Sequence, residues 1–394
     1  MRHSLTFAVM ALAPMLAAAQ SSKPPAAPSP PPSWPATVAA IVRQMQLGTG
    51  ERVLMVAEPG QADGVVAPLR AAIRAAGATD LGVIAVRGTA PATWSTDFTR
   101  GAAGKSADQL VSYLASVDLG IMLPGAAPTD AAYDALQRIL RDAPNAKPAR
   151  GVRTVHFHWA GAYAPTGELL TTAPAFAALY QRVLEQTDYA ALAKAQRDFE
   201  SAMRAAPVRV TTPGGTDLTF RIGDRVVTRQ DGNASAAHAR GGKVLIDREV
   251  ELPAGAIRVA PIEESVNGTI AFPDGTWGGV AVKGLVMTFA KGKLTTFTAR
   301  TGKEGIDKEL ATAGPAGRSF REFALGFNPL LAIPDKGERW IPYYGYGAGV
   351  VRLSLGDNSE LGGKVTGGYV RWNFFTDATV RVGGRVWVEG GTMR

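Results

Sequence analysis

The chain contains no cysteine in 394 residues. That absence excludes a disulfide framework, a lipid-modified cysteine, thiolate metal sites and thiol nucleophiles. Histidine is scarce: apart from His3 near the start, the chain has only His156, His158 and His238. Long apolar runs are missing too. The run over residues 5–16 is too short and too alanine-rich for a comfortable membrane span. No block of Lys/Arg stands out and no nucleic-acid motif is present, so the net charge of +8 reads as scattered surface charge rather than a nucleic-acid footprint. There is no G-x-S-x-G elbow for a serine nucleophile. The first strand-to-helix turn, residues 58–64, has neither the dinucleotide fingerprint nor the P-loop pattern, and no cofactor is expected. Gly345, Gly347 and Gly349 are spaced like part of such a fingerprint, but Val350 stands where the last glycine belongs. Left-handed turns explain them better.

What is present begins with a secretory pattern. Arg2 and His3, the apolar run and Ala17-Ala18-Ala19 read as a signal peptide over 1–19. The expected protein is therefore soluble after cleavage, without stable membrane insertion, and periplasmic or secreted. Residues 20–36 form a proline-rich linker, extended rather than folded. From 37 to 186, short apolar runs at 52–57, 81–86, 117–123 and 152–159 alternate with helical stripes at 62–76, 106–116 and 130–140. Such alternation implies an α/β domain whose parallel sheet is covered on both faces. A strong helix former at 187–206 connects it to a β-rich α+β domain, 207–394. There glycine punctuates strand-type runs, with helices expected near 308–311 and 318–324.

Two of those later runs carry chemistry. In 350–355, alternation puts Arg352 and Ser354 on one strand face, and in 369–373 it does the same for Arg371 and Asn373. Guanidinium groups in apolar strands need a counter-charge or an anionic ligand. Tyr343, Tyr344 and Tyr346 precede the first run and could line a pocket mouth or simply pack. Glu263 and Glu264 are adjacent, so at most one faces a given site. Glu263 is the candidate general base, and a solvated strand end is the plainer alternative. His156 and His158 share a strand face at a spacing found in metal sites, without a nearby third ligand in sequence.

The segments 209–220, 259–270, 321–329, 349–356 and 371–373, in order and at suitable spacing, resemble the aminopeptidase T family of metallo-aminopeptidases. The resemblance runs from about residue 52 to the end and is specific in the C-terminal half. It implies an N-terminal α/β domain, a C-terminal β-rich domain, a homodimer enclosing a cavity, and two divalent metals cutting N-terminal residues from peptides. This chain departs from the pattern where the metals would sit. Ala256 replaces one glutamate, Arg352 a histidine, Ser359 a tyrosine, and Arg371-Trp372-Asn373 a His-x-Asp element; Glu322 alone is retained. Arginine offers no lone pair to a cation at neutral pH.

The reading that follows is an exported aminopeptidase T-like protein without the di-metal centre. It would bind a small carboxylate or peptide-like ligand through Arg352, Arg371, Glu322, Asn373 and Tyr346. Glu322 and Glu263 are the candidate catalytic carboxylates if chemistry remains. An alternative keeps a metal-dependent aminopeptidase on a relocated site recruiting His156, His158 and Glu263. Two blander readings stay open: a structural Glu322–arginine plug in a decayed site, and an envelope protein retained for its dimer interface.

Overall fold

The computed structural model describes residues 33–146, 150–157, 162–170, 174–333 and 340–394. The expected signal peptide, most of the linker and His158 lie outside the described residues. The first helix, Trp34–Met45, takes Pro35 into its first turn, where a missing N–H costs nothing.

Five parallel strands form the first sheet, in the order Thr79–Ala85, Arg52–Ala57, Leu119–Met122, Arg153–His156, Glu249–Glu251. The strand Arg52–Ala57 shows why apolar runs predict this architecture. Val53 and Met55 join one core, with Val65, Leu69 and Ile73 of helix Asp63–Ala75. Leu54 and Val56 face the other, with Leu110, Leu114 and Leu136. The last strand is the unforeseen one. Glu249–Glu251 comes from within the region assigned by sequence to the second domain, so the chain returns to its first sheet. Three residues leave no legible period.

Helix Tyr189–Ala205 is capped by the Asp188 side chain, which accepts from the Ala191 N–H. It buries Leu192, Gln196, Phe199 and Met203 along one stripe. Beyond it lie a two-stranded antiparallel sheet and two large ones. The larger has eight strands; the smaller has five, in the order Val370–Phe375, Val351–Gly356, Phe320–Gly326, Ala256–Val259, Val227–Gln230. One face of the smaller sheet is apolar: Phe323 packs on Phe220 at 5.1 Å between ring centroids, and Ile257 and Leu353 join the same core. The other face is turned toward the parallel sheet.

One sequence expectation is overturned here. Residues 318–324 do not form a helix; Phe320–Gly326 is the middle strand of that sheet, with all seven residues buried. Arg, Glu, Ala and Leu favour helix locally, but hydrogen bonding to a strand on each side and burial on both faces override so weak a preference.

Candidate functional site

The register of the smaller sheet decides which side chains meet. Arg258 pairs with Ala324, Ala324 with Arg352, and Glu322 with Ser354. Residues directly opposite share a face, so Arg258, Glu322, Arg352 and Ser354 project together. Glu322 is fully buried. Its Oε1 lies 2.5 Å from Arg258 Nε and 2.8 Å from Arg352 Nη2, and its Oε2 lies 3.6 Å from Arg321 Nε. Glu360 closes the cluster from a short turn, pairing with Arg321 and, at 3.3 Å, with Arg258. Burial alone would raise the Glu322 carboxyl, but the charges of Arg258, Arg352 and Arg321 outweigh it and hold it well below the usual carboxylate range. Burial likewise opposes the charge on Arg258, yet Glu322, Tyr346 and Glu360 keep it raised above the ordinary guanidinium value.

This cluster forms one wall of a partly open cavity of about 190 Å³ between the two sheets. Arg258, Arg352, Glu360, Tyr346 and Trp372 line it from the antiparallel side. His156 and Glu251, at the carboxyl ends of parallel strands, and Glu249, which opens the last of those strands, line it from the other, with Tyr133 and Gln137 from helix Ala131–Asp142. That is where open α/β sheets place ligands. His156 Nδ1 lies 3.0 Å from the Tyr133 hydroxyl and 3.4 Å from Glu251 Oε1; its Nε2 lies 2.8 Å from Thr154 Oγ1. Burial disfavours a charged imidazole, but the Glu251 carboxylate, by charge and hydrogen bond, and Glu249 more than compensate, so His156 is raised. Glu249 is also raised: burial leads, and the charge of His156 and the hydrogen bond from Gln137 offset it only in part.

The tyrosine segment is held in an uncommon backbone conformation. Tyr343 and Tyr344 both have positive φ, 34° and 57°, a costly region for bulky residues. This turn lets the Tyr343 hydroxyl reach Glu251 Oε2 at 3.0 Å, while the Tyr344 carbonyl accepts from Arg352 Nη1 at 3.0 Å. One tight turn thus ties the acidic wall to the basic one. The Trp372 ring stacks against the Arg352 guanidinium, 4.8 Å to the centroid.

Of the residues singled out by sequence, Arg352, Glu322 and Tyr346 converge here. Arg371 and Asn373 do not. Leu355 pairs with Arg371 and Leu353 with Asn373, which puts both on the opposite face from Arg352. Arg371 instead stacks on Trp277 and pairs with Glu309 at 2.8 Å beside a separate surface hollow. Trp372 and Phe374 occupy the cavity-side positions of that strand. Glu263 is not at the cavity either. It sits in a short turn, paired with Arg225 and accepting from Asn358 Nδ2 at 3.2 Å and the Lys364 N–H at 2.8 Å, which makes it a clasp between loops. His156 lines the cavity without Glu263, so those two do not form a joint site. Sequence reasoning missed Arg258, Glu249, Glu251 and Glu360. Arg258 was within reach, two residues after Ala256 and hence on the same strand face.

The aminopeptidase T resemblance implies a di-metal centre around Glu322, and the residues present do not fit one. The retained carboxylate is encircled by guanidinium groups, Ala256 supplies no donor, and Trp372 and Phe374 offer no metal ligand. Among the described residues, no group of three or more His, Cys, Asp or Glu side chains could hold a metal ion.

Comparisons with known proteins agree with this architecture. Residues 187–332 match the family described as thermophilic metalloprotease (M29). No curated protein sequence matches the chain. Among solved structures, 2,5-dihydroxypyridine dioxygenase from Pseudomonas putida KT2440 is similar with a TM-score of 0.60 and 14% identity, over 92% of this chain and 96% of that one. Wild-type AmpT from Thermus thermophilus is similar with a TM-score of 0.54 and 17% identity, over 91% and 98%. The chain carries an M29-type segment and has the AmpT fold, in which an aminopeptidase and a dioxygenase are both found.

Proposed function

We propose that this protein binds a small carboxylate-bearing molecule in the cavity between its sheets, without the di-metal centre of the metallopeptidases it resembles. The observation that carries this reading is the Arg258–Glu322–Arg352 cluster. Two guanidinium groups stand on the cavity wall where a metal site would need carboxylate and imidazole, and guanidinium forks match carboxylates in geometry and charge. The Nε atom of Arg352 makes no hydrogen bond among the described residues. Nε and Nη2 of Arg258 are engaged with Glu322 and Glu360.

The Glu322 plug and a binding site coexist in this arrangement: the carboxylate fixes the arginines, whose guanidinium groups still line the cavity. Export to the periplasm or beyond, and assembly as a homodimer, belong to the same proposal. Among the described residues no helix is long and apolar enough to cross a membrane.

The test is a thermal-shift screen of simple carboxylates, since a ligand that binds only the native state raises the melting temperature. Stabilisation by carboxylates is expected in the wild type and not in Arg352→Ala. An equal response in both proteins would sink the proposal. Turnover of aminoacyl chromogenic substrates by protein carrying stoichiometric zinc, manganese or cobalt would favour the metal-dependent alternative instead.

A further inference from the structure

We infer that a carboxylate enters the cavity from a basic hollow on the outer side of Glu360. Arg141 and Lys243 draw it there, and it displaces the Glu360 carboxylate from Arg258 as it passes. The inference rests on the carboxylate reading above and adds the route and the residues that govern capture. Three observations carry it.

The first is that Glu360 belongs to two spaces at once. It lines the cavity between the sheets, and it lines a surface hollow of about 420 Å³ with Arg141, Lys243, Arg321 and Asp357. Its Oε1 accepts from Arg321, which lines the hollow, and at 3.3 Å from Nη2 of Arg258, which lines the cavity. Between the two stands a side chain carried on the short turn Ser359–Leu361. That side chain is 36% exposed, whereas Glu322, held by the same Arg258 at 2.5 Å, is fully buried. Of the two acids on Arg258, Glu360 is the one an incoming carboxylate can exchange with.

The second is the charge of the hollow. Arg141, in the last turn of helix Ala131–Asp142, and Lys243, just after the short helix Ala236–Gly241, are exposed. Neither side chain makes an ion pair or hydrogen bond among the described residues. Both acids of the hollow are engaged. Glu360 is held by its arginines, and Asp357 accepts from the N–H groups of Ser359, Gly367 and Gly368 and from the Ser359 hydroxyl. Two unmatched cations beside a concave surface concentrate anions at it.

The third is the contrast with the hollow beside Arg371, which meets the cavity at Trp372. There Arg371 is matched by Glu309, and Glu168 is exposed without a counter-charge, so a carboxylate is repelled. The partition on that side is an indole packed edge-on against Tyr344 and Tyr163, at 5.4 and 5.6 Å between centroids. Moving it breaks aromatic packing; moving Glu360 exchanges one carboxylate for another.

Because the chain has no cysteine, a single introduced thiol can be labelled alone. Lys243→Cys and Glu168→Cys place one in each hollow. Trifluoropropionate is the ligand, and fluorine NMR relaxation dispersion gives its association and dissociation rates before and after reaction with N-cyclohexylmaleimide. The label on Lys243→Cys should slow both rates about tenfold, and the label on Glu168→Cys should slow neither. Unchanged rates in the first, or slowing in the second alone, would overturn the route. Arg141→Ala combined with Lys243→Ala should slow association about threefold or more in dilute buffer, and the difference should vanish in about 1 M salt. Slowing that persists in high salt would remove both residues from a steering role. Glu360→Gln should speed association severalfold; a rate as in wild type would show that Glu360 does not bar the way. No binding of trifluoropropionate by the unaltered chain would overturn the carboxylate reading itself, and this inference with it.

Discussion

At the scale of single residues, Glu322 sets the chemistry of the cavity. It is the one acid buried among three guanidinium groups. Replacing it by glutamine leaves those charges short of a counter-ion, and Glu322→Gln should cost about 3–5 kcal/mol in urea denaturation at neutral pH. The sign of its pH dependence follows from its depressed folded pKa. Its contribution is complete above the unfolded carboxyl value, roughly 4.3, and is lost as pH falls from there toward the folded value. The stability gap between wild type and Glu322→Gln should therefore be flat in mildly acid solution and narrow only in strong acid. His156 behaves in the opposite sense. Its folded pKa is raised, so its contribution is full below the ordinary imidazole value and fades as pH rises through the folded one. The gap between wild type and His156→Gln should shrink from weakly acid to alkaline solution. A gap that widens there would show that the imidazole is buried neutral.

At the scale of elements, the sheet that displays these residues depends on close backbone approach. A Cβ built on Gly326, at the end of the Glu322 strand, would lie 2.1 Å from the Gly347 carbonyl and 2.6 Å from that of Gly345. Both contacts are with backbone, which cannot swing aside, so Gly326→Ala should cost about 1–3 kcal/mol or more. It should also weaken carboxylate binding, by moving the tyrosine turn that holds Arg352. Stability and binding measured on one variant check both.

Legibility in sequence follows the same physics. The strand at 52–57 was read to the residue, because a fully buried strand between helices is an unbroken apolar run. The Glu322 strand was read as a helix because its residue types prefer helix and only its neighbours make it a strand. Arg352 was legible as a buried charge. Arg371, equally conspicuous, was assigned to the wrong wall, because alternation within one strand does not reveal the register between two. Glu249 and Glu251 carried no signal: what gives them meaning is pairing with a strand nearly a hundred positions earlier.

At the scale of the whole molecule, the cavity exists because two sheets of different origin face each other. The parallel sheet brings Glu251 and the His156 imidazole to its carboxyl edge, with Glu249 two residues earlier; the antiparallel sheet brings guanidinium groups on its polar face. The same fold is found in AmpT and in a dioxygenase, so the scaffold does not fix the chemistry, and the side chains on the facing walls must. Protein purified without a metal-affinity tag should accordingly carry no stoichiometric divalent metal, and chelator should leave its melting temperature and its carboxylate response unchanged.

The most direct measurement is a crystal structure of the protein grown with manganese and a small amino acid, with anomalous scattering collected to locate the metal. The account predicts no ordered cation bonded to Glu322, with the Arg258 and Arg352 guanidinium groups against that carboxylate and the amino acid's own carboxylate beside them. A pair of manganese ions coordinated at Glu322, with the arginines turned away, would contradict it.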